Sequence, residues 1–165
     1  MIDVPMSDPD QFEDPLSNFE PVKFDDELER ALMEEPVSAI QSQPFFEIEV
    51  STPIRHAVQV LQRRNVSSLL VVDAGRLVGI FTERDVLERV AERFASISSA
   101  PVGDVMTPNP LVVFDTDSAA TALAAIAAAG YRHVPVLNQL QEVVGILSPR
   151  RVFAFIEHRL KAVAS

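Results

Sequence analysis

Thr82-Glu83-Arg84-Asp85 closes an apolar run and sets a hydroxyl three positions ahead of a carboxylate. That spacing is a capping box, in which the hydroxyl accepts from the amide three residues on and the carboxylate reaches back to the helix start. The same turn has a second chemistry. A carboxylate at a helix N-terminus can accept from two neighbouring hydroxyls, while the threonine and the first-turn amides face an anion. One turn can serve both purposes, and the sequence leaves both readings open.

No catalytic set accompanies this turn. Cysteine is absent, which removes thiol nucleophiles, thiolate metal sites and disulfides. Gly79 and Gly145 each stand alone in their strands, so no glycine-rich phosphate loop exists. Asp115 and Asp117 are read as caps of the helix that begins near Ser118. His56 and His158 lie on helices without partners at metal-ligand spacing and are read as structural.

The elements that position the turn occur twice. Residues 37–70 lie over 102–135 at a constant offset of 65, and one extra hairpin residue then shifts the offset to 66. Val78-Gly79-Ile80-Phe81-Thr82 thereby matches Val144-Gly145-Ile146-Leu147-Ser148, and Asp85 matches Arg151. An arginine cannot accept a hydrogen bond, so the two copies differ in chemistry at this point. A repeat of this length implies two supersecondary units that bury their apolar faces together.

Each unit reads strand, helix, strand, strand, helix. In the first, a strand over 45–48 leads to Thr52 as N-cap and Pro53 as first helical residue of a helix ending near Arg64. Strands over 68–73 and 76–81 flank an Ala74-Gly75 turn, and a second helix starts after Thr82. Residues 111–114, 118–129, 133–137, 143–147 and 149–163 take the same roles in the second. The expected fold class is therefore α/β (α+β), with mixed sheets and helices packed on them. Domain boundaries follow: an acidic arm 1–36, a first repeat 37–95, a linker 96–101 and a second repeat 102–165. The helix over 118–129 is nearly all alanine and apolar all round, which calls for cover on more than one side, as helix-mediated self-association would give.

The net charge of −10 sits in the arm, which holds twelve acidic residues against Lys23 and Arg30, while the repeats are neutral. The arm has prolines at 5, 9, 15 and 21, and a short amphipathic helix is expected within 24–35, with Leu28, Ala31 and Leu32 on one face. Nucleic acid is excluded as a partner, since phosphate backbones require clustered Lys and Arg. No apolar run reaches the roughly 20 residues of a membrane span. The first twenty residues carry no basic n-region and no apolar h-region, so a cytoplasmic protein is expected.

Val105-Met106-Thr107 before a strand, Tyr131-Arg132-His133-Val134-Pro135-Val136 and Gly79-Ile80-Phe81-Thr82-Glu83-Arg84-Asp85 together resemble the cystathionine-β-synthase (CBS) domain pair, the Bateman module, over residues 37–160. The resemblance implies tandem βαββα repeats with pseudo-two-fold symmetry and two inter-repeat clefts that commonly bind adenosine nucleotides. It also implies a homodimeric disc built on helices and a regulatory, non-enzymatic role toward a partner protein. By the family's geometry, Asp85 shares a cleft with Met106-Thr107-Pro108 and with the segment from Tyr131 to Pro135. Asp85 would then hold ribose, and Thr82 ribose or α-phosphate. Arg132 would carry charge to phosphate, with His133 donating beside it, and Arg84 would line the same cleft. Thr107 would meet the adenine edge. Ile80, Met106 and Val134 would form the slot for the ring, and Pro135 would fix strand entry. The Arg151 cleft receives Gln41-Ser42-Gln43 and Val66-Ser67-Ser68-Leu69-Leu70, without the matching Arg, His or proline. One adenine nucleotide per chain, bound at the Asp85 cleft, is therefore expected. AMP, ADP and ATP are the leading ligands, NAD(H) and S-adenosylmethionine remain open, and no covalent cofactor is implied. The competing expectation is a ligand-free dimeric scaffold that recruits a partner through its acidic arm.

Overall fold

The computed structural model, which describes residues 26–130 and 133–163, resolves the repeat into two sheets. The first has the order β1 (Glu47–Glu49), β2 (Ser68–Asp73), β3 (Arg76–Thr82), β4 (Thr107–Pro108). The second has the order β5 (Val113–Phe114), β6 (Val134–Leu137), β7 (Val143–Leu147). The β1–β2 and β5–β6 pairs are parallel, and the β2–β3 and β6–β7 hairpins antiparallel. Even the irregularities repeat. The ladders shift register at Val71/Val72 and at Val136/Leu137, 65 residues apart. The expected mixed α/β architecture is present in both copies.

Besides short 3-10 turns at Val37–Ala39 and Val102–Asp104, five longer helices accompany the sheets among the described residues. They are α1 (Glu27–Glu34), α2 (Ile54–Arg64), α3 (residues 83–97), α4 (Ala119–Ala129) and α5 (Pro149–Val163). α5 is continuous, whereas α3 passes through a π turn at Val86–Val90 and a 3-10 turn at Ala91–Arg93.

The two repeats complete each other's cores. Val37 and Ile40, ahead of the first repeat's strands, are buried beside Val113, Ala119, Val134 and Leu147 of the second. Val102 and Val105 are buried beside Ile54, Leu69, Phe81 and Val90 of the first. The 65-residue offset carries one pair onto the other. Each such side chain contributes roughly 1.5–3 kcal/mol on burial, so a lone repeat would lack part of its core. A third cluster of Leu70, Ile80 and Ile146 joins residues of both sheets.

The same exchange sets the helix starts, and here the expected caps need correction. Thr52 does not cap α2; Pro53 holds the N-cap position. The first amides, of Ile54 and Arg55, donate to the Ala100 and Ser98 carbonyls at 2.9 Å each. Those carbonyls belong to the linker between repeats, out of reach of a local sequence pattern. At the equivalent place, the Ala119 amide of α4 donates to the Glu35 carbonyl at 2.8 Å. Ser118 caps α4, accepting from the Thr121 amide, in place of the expected Asp115 and Asp117. Asp117 instead closes the preceding turn by accepting from the Phe114 amide at 2.8 Å.

Leu28, Ala31 and Leu32 are the half-buried residues inside α1, which packs on α4 and α5. Glu35 forms an ion pair with Arg159 there. Part of the apolar circumference of α4 is thus covered within the chain. Exposed apolar side chains remain at Leu87 and Phe94 on α3 and at Phe153 and Leu160 on α5.

Candidate functional site

The end of β3 and the start of α3 are one continuous turn, and Thr82 is its pivot. Its hydroxyl accepts from the Asp85 amide at 3.3 Å, and its amide donates to Asp85 Oδ2 at 2.8 Å. The capping box is therefore complete. The Thr82 hydroxyl also donates to Oδ2 at 2.8 Å. The other oxygen faces across the cleft, where Oδ1 accepts from the Thr107 hydroxyl at 3.0 Å and lies 3.3 Å from Arg89 Nη1. Asp85 is only 4% exposed. A carboxylate offers about four acceptor positions; three receive protein hydrogen bonds, and Arg89 stands beside Oδ1 as an ion-pair partner.

Thr107 is held there by backbone pairing, since β4 joins β3 through Gly79↔Pro108 and Ile80↔Thr107. Arg89 was not anticipated from the sequence. It lies one helical turn beyond Asp85, a spacing that could have revealed it. The same Nη1 donates to the Met106 carbonyl at 2.7 Å and the Val105 carbonyl at 3.1 Å, clamping the segment that carries Thr107.

The remaining expected residues scatter. Ile80 belongs to the cluster shared by both sheets, Met106 packs against the first core, and Val134 is fully buried in the second. Alternation along β6 explains Val134, which shares its inward face with Val136. Arg84 lies on the helix surface, paired with Glu88 at 2.8 Å, and that contact raises its pKa. Pro108 is exposed and Pro135 buried in β6, paired with Ile146. Arg132 falls outside the described residues.

A cavity of about 390 Å³ opens in the other cleft. Val66, Ser67, Ser68 and Leu70 line it, as the family geometry implies for the Arg151 cleft, together with Phe45, Phe46, Ser148, Arg150 and Arg151. His133 lines this cavity too, its Nε2 lying 2.9 Å from Ser67 Oγ. Ser67 reaches toward both clefts, because its carbonyl accepts from the Glu83 amide at the start of α3. Arg151 donates to the Ile146 carbonyl at 2.7 Å and to the Pro44 carbonyl at 2.8 Å. Burial lowers its pKa, since the charged guanidinium is partly removed from water.

Comparison with known proteins agrees with this architecture. The family model of the CBS domain matches residues 37–92 and 102–158. A 17.7 kDa protein from the bps2 3′ region of Acidianus ambivalens is 31% identical over 69% of this chain and 68% of its own. CBSCBSPB1 of Arabidopsis thaliana is 30% identical over 69% of this chain, which spans only 21% of that relative's length. Among solved structures, CBSX2 in complex with AMP has a TM-score of 0.65 and 26% identity, covering 74% of this chain and 96% of its own. PAE2072 from Pyrobaculum aerophilum, complexed with AMP, has a TM-score of 0.66 and 27% identity, covering 78% and 98%.

Proposed function

This chain belongs to the CBS domain family, and from that premise we propose that it is a regulatory module that binds an adenine nucleotide at Asp85 and signals occupancy to a partner protein. The observation that carries the reading is the buried Asp85 carboxylate at a helix start, met from across the cleft by Thr107. A ribose diol would replace the Thr107 hydroxyl as donor to Oδ1 and displace the Arg89 guanidinium beside it, leaving the capping bonds on Oδ2 in place. Two CBS proteins of similar fold carry AMP, which makes AMP the first ligand to test.

Displacement from Asp85 also supplies a signal. Arg89 ties that carboxylate to the Val105 and Met106 carbonyls, so a ligand competing for Oδ1 would loosen a segment plugged into the first repeat's core. Calorimetry with AMP and 2′,3′-dideoxy-AMP tests the reading. AMP should bind more tightly than the dideoxy analogue, and Asp85→Asn should erase the difference. Equal affinities for the wild type would overturn it.

The engagement of Asp85 by Thr82, Thr107 and Arg89 favours a second reading, a ligand-free CBS scaffold in which the carboxylate is purely structural. In that case neither compound binds at Asp85, and the partner contacts rest on the acidic arm and the exposed helix faces.

A further inference from the structure

We propose that residues 10–20 of the acidic arm dock in the groove between α2 and α3 of the first repeat, as a cover supplied by the chain itself. This contact involves neither inter-repeat cleft and is independent of the Asp85 reading.

The groove is an open depression of about 610 Å³. Val58 of α2 and Val86, Val90 and Phe94 of α3 give it an apolar floor. Phe94 is 40% exposed there, so this surface has no cover among the described residues. Removing such surface from water is favourable. Leu87, the most exposed apolar side chain of α3, does not line the groove.

Charge selects the occupant. Arg55 stands on the rim with Gln59 and Gln62, and no Asp or Glu lines the groove. α2 carries Arg55, His56, Arg63 and Arg64 without an acidic residue. Neither Arg55 nor Arg63 forms an ion pair among the described residues. The α3 wall is close to neutral, with four acidic and three basic residues over 83–97. The arm is the complement of this surface. Asp10, Glu13, Asp14 and Glu20 alternate with Phe12, Leu16 and Phe19, and no basic residue falls within 10–20. The apolar side chains match the floor, and the carboxylates match the rim.

The arm is also long enough. It ends at Asp26, the N-cap of α1, which packs on α4 and α5. The stretch from Phe12 to Asp26 spans up to about 48 Å at ~3.4 Å per residue, and a body of this size is roughly 40 Å across. Tethering supplies an effective concentration of order millimolar, so a weak contact suffices. Docking there sets the arm against α3, the helix that opens at the Asp85 turn.

The chain has no cysteine, so introduced thiols report proximity without background. Ser17→Cys in the arm and Gln62→Cys on the groove rim, combined in the full chain, should oxidise to an intrachain disulfide. The rate should exceed by about tenfold or more that of Ser17→Cys paired with Leu140→Cys, a thiol on the exposed β6–β7 hairpin of the second repeat. Added salt should reduce the advantage. Phe94→Glu should abolish it with helical circular dichroism unchanged, and Arg55→Glu, at an exposed position, decides if the Phe94 variant loses helicity. Equal rates for the two pairs, or an advantage that survives both substitutions, would overturn the inference. So would a Ser17→Cys to Gln62→Cys bridge formed only between chains. A disulfide joining two chains that carry Gln62→Cys alone would also overturn it, by showing a second copy seated in the groove.

Discussion

Asp85 and Arg151 occupy equivalent positions, and each hydrogen-bonds the segment lying across its own cleft with opposite polarity. Asp85 accepts from the Thr107 hydroxyl at 3.0 Å, and Arg151 donates to the Pro44 carbonyl at 2.8 Å. The helix caps diverge in parallel. Thr82 and Asp85 cap each other reciprocally, while Ser148 accepts from the Arg151 amide at 3.4 Å and the Arg151 side chain goes to the Ile146 and Pro44 carbonyls instead. One cleft is thus neutralised from within by Arg89, and the other keeps its positive charge.

The first prediction concerns what Asp85 does without ligand. Alanine there would strand the Thr82 amide, the Thr107 hydroxyl and Arg89. Losing a buried acceptor and a cap together costs about 2–3 kcal/mol. For a chain of this size the thermal midpoint should fall by about 5–10 °C. Asp85→Asn, which keeps an acceptor oxygen, should lose less. An alanine variant as stable as the wild type would show that these bonds contribute nothing to folding.

A second prediction separates the two strand glycines. A methyl group at Gly79 would meet the Met106 thioether, the movable end of a flexible side chain. At Gly145 it would meet Ser42 Cβ and, at 3.2 Å, the Ser42 carbonyl, which itself accepts from the Ile146 amide at 3.0 Å. Backbone cannot move aside without breaking that bond. Gly145→Ala should therefore cost about 1–3 kcal/mol in urea denaturation, and Gly79→Ala clearly less. The reverse order would mean that the Ser42 segment is the softer of the two.

Self-association gives the third. Phe153 is 67% exposed on α5 and Leu87 is 73% exposed on α3. We expect a homodimer at micromolar concentration that buries such helix faces, with Leu87→Glu and Phe153→Glu yielding monomer of unchanged helical circular dichroism. Ala125→Glu is a poorer probe, because Ala125 packs against the second core. A monomeric wild type in light scattering would eliminate this assembly.

Much of the fold was legible because its signals are local. Strands 68–73 and 143–147 and helix 149–163 have the predicted bounds, set by apolar runs, turn residues and a first-position proline. The cap of α2 was not legible, because its acceptors at Ser98 and Ala100 arrive from the linker. At the site, the meeting of Asp85 with Thr107 followed from family geometry. The placement of Val134 in a core did not, since facing depends on which side of β6 the second repeat buries. Comparing the copies marked Arg151 as a loss, yet such a comparison registers residue types and says nothing of volume. The cavity beside it exists only in the folded arrangement of both repeats.

The acidic arm supplies the last prediction, and the structure changes how it must be tested. Residues 1–25, outside the described part of the chain, contain seven acidic residues and one lysine. Deleting the whole of 1–36 would also remove α1 and the Glu35 carbonyl that receives the Ala119 amide. The clean experiment removes only 1–25. A tether places the arm near the clefts at an effective concentration of order millimolar. If its carboxylates compete with phosphates for cations such as Arg84, truncation should tighten AMP binding by about threefold or more at low salt, and the gain should vanish as salt screens the contact. Equal affinities for the truncated and full-length chains at both ionic strengths would show that the arm does not gate either cleft.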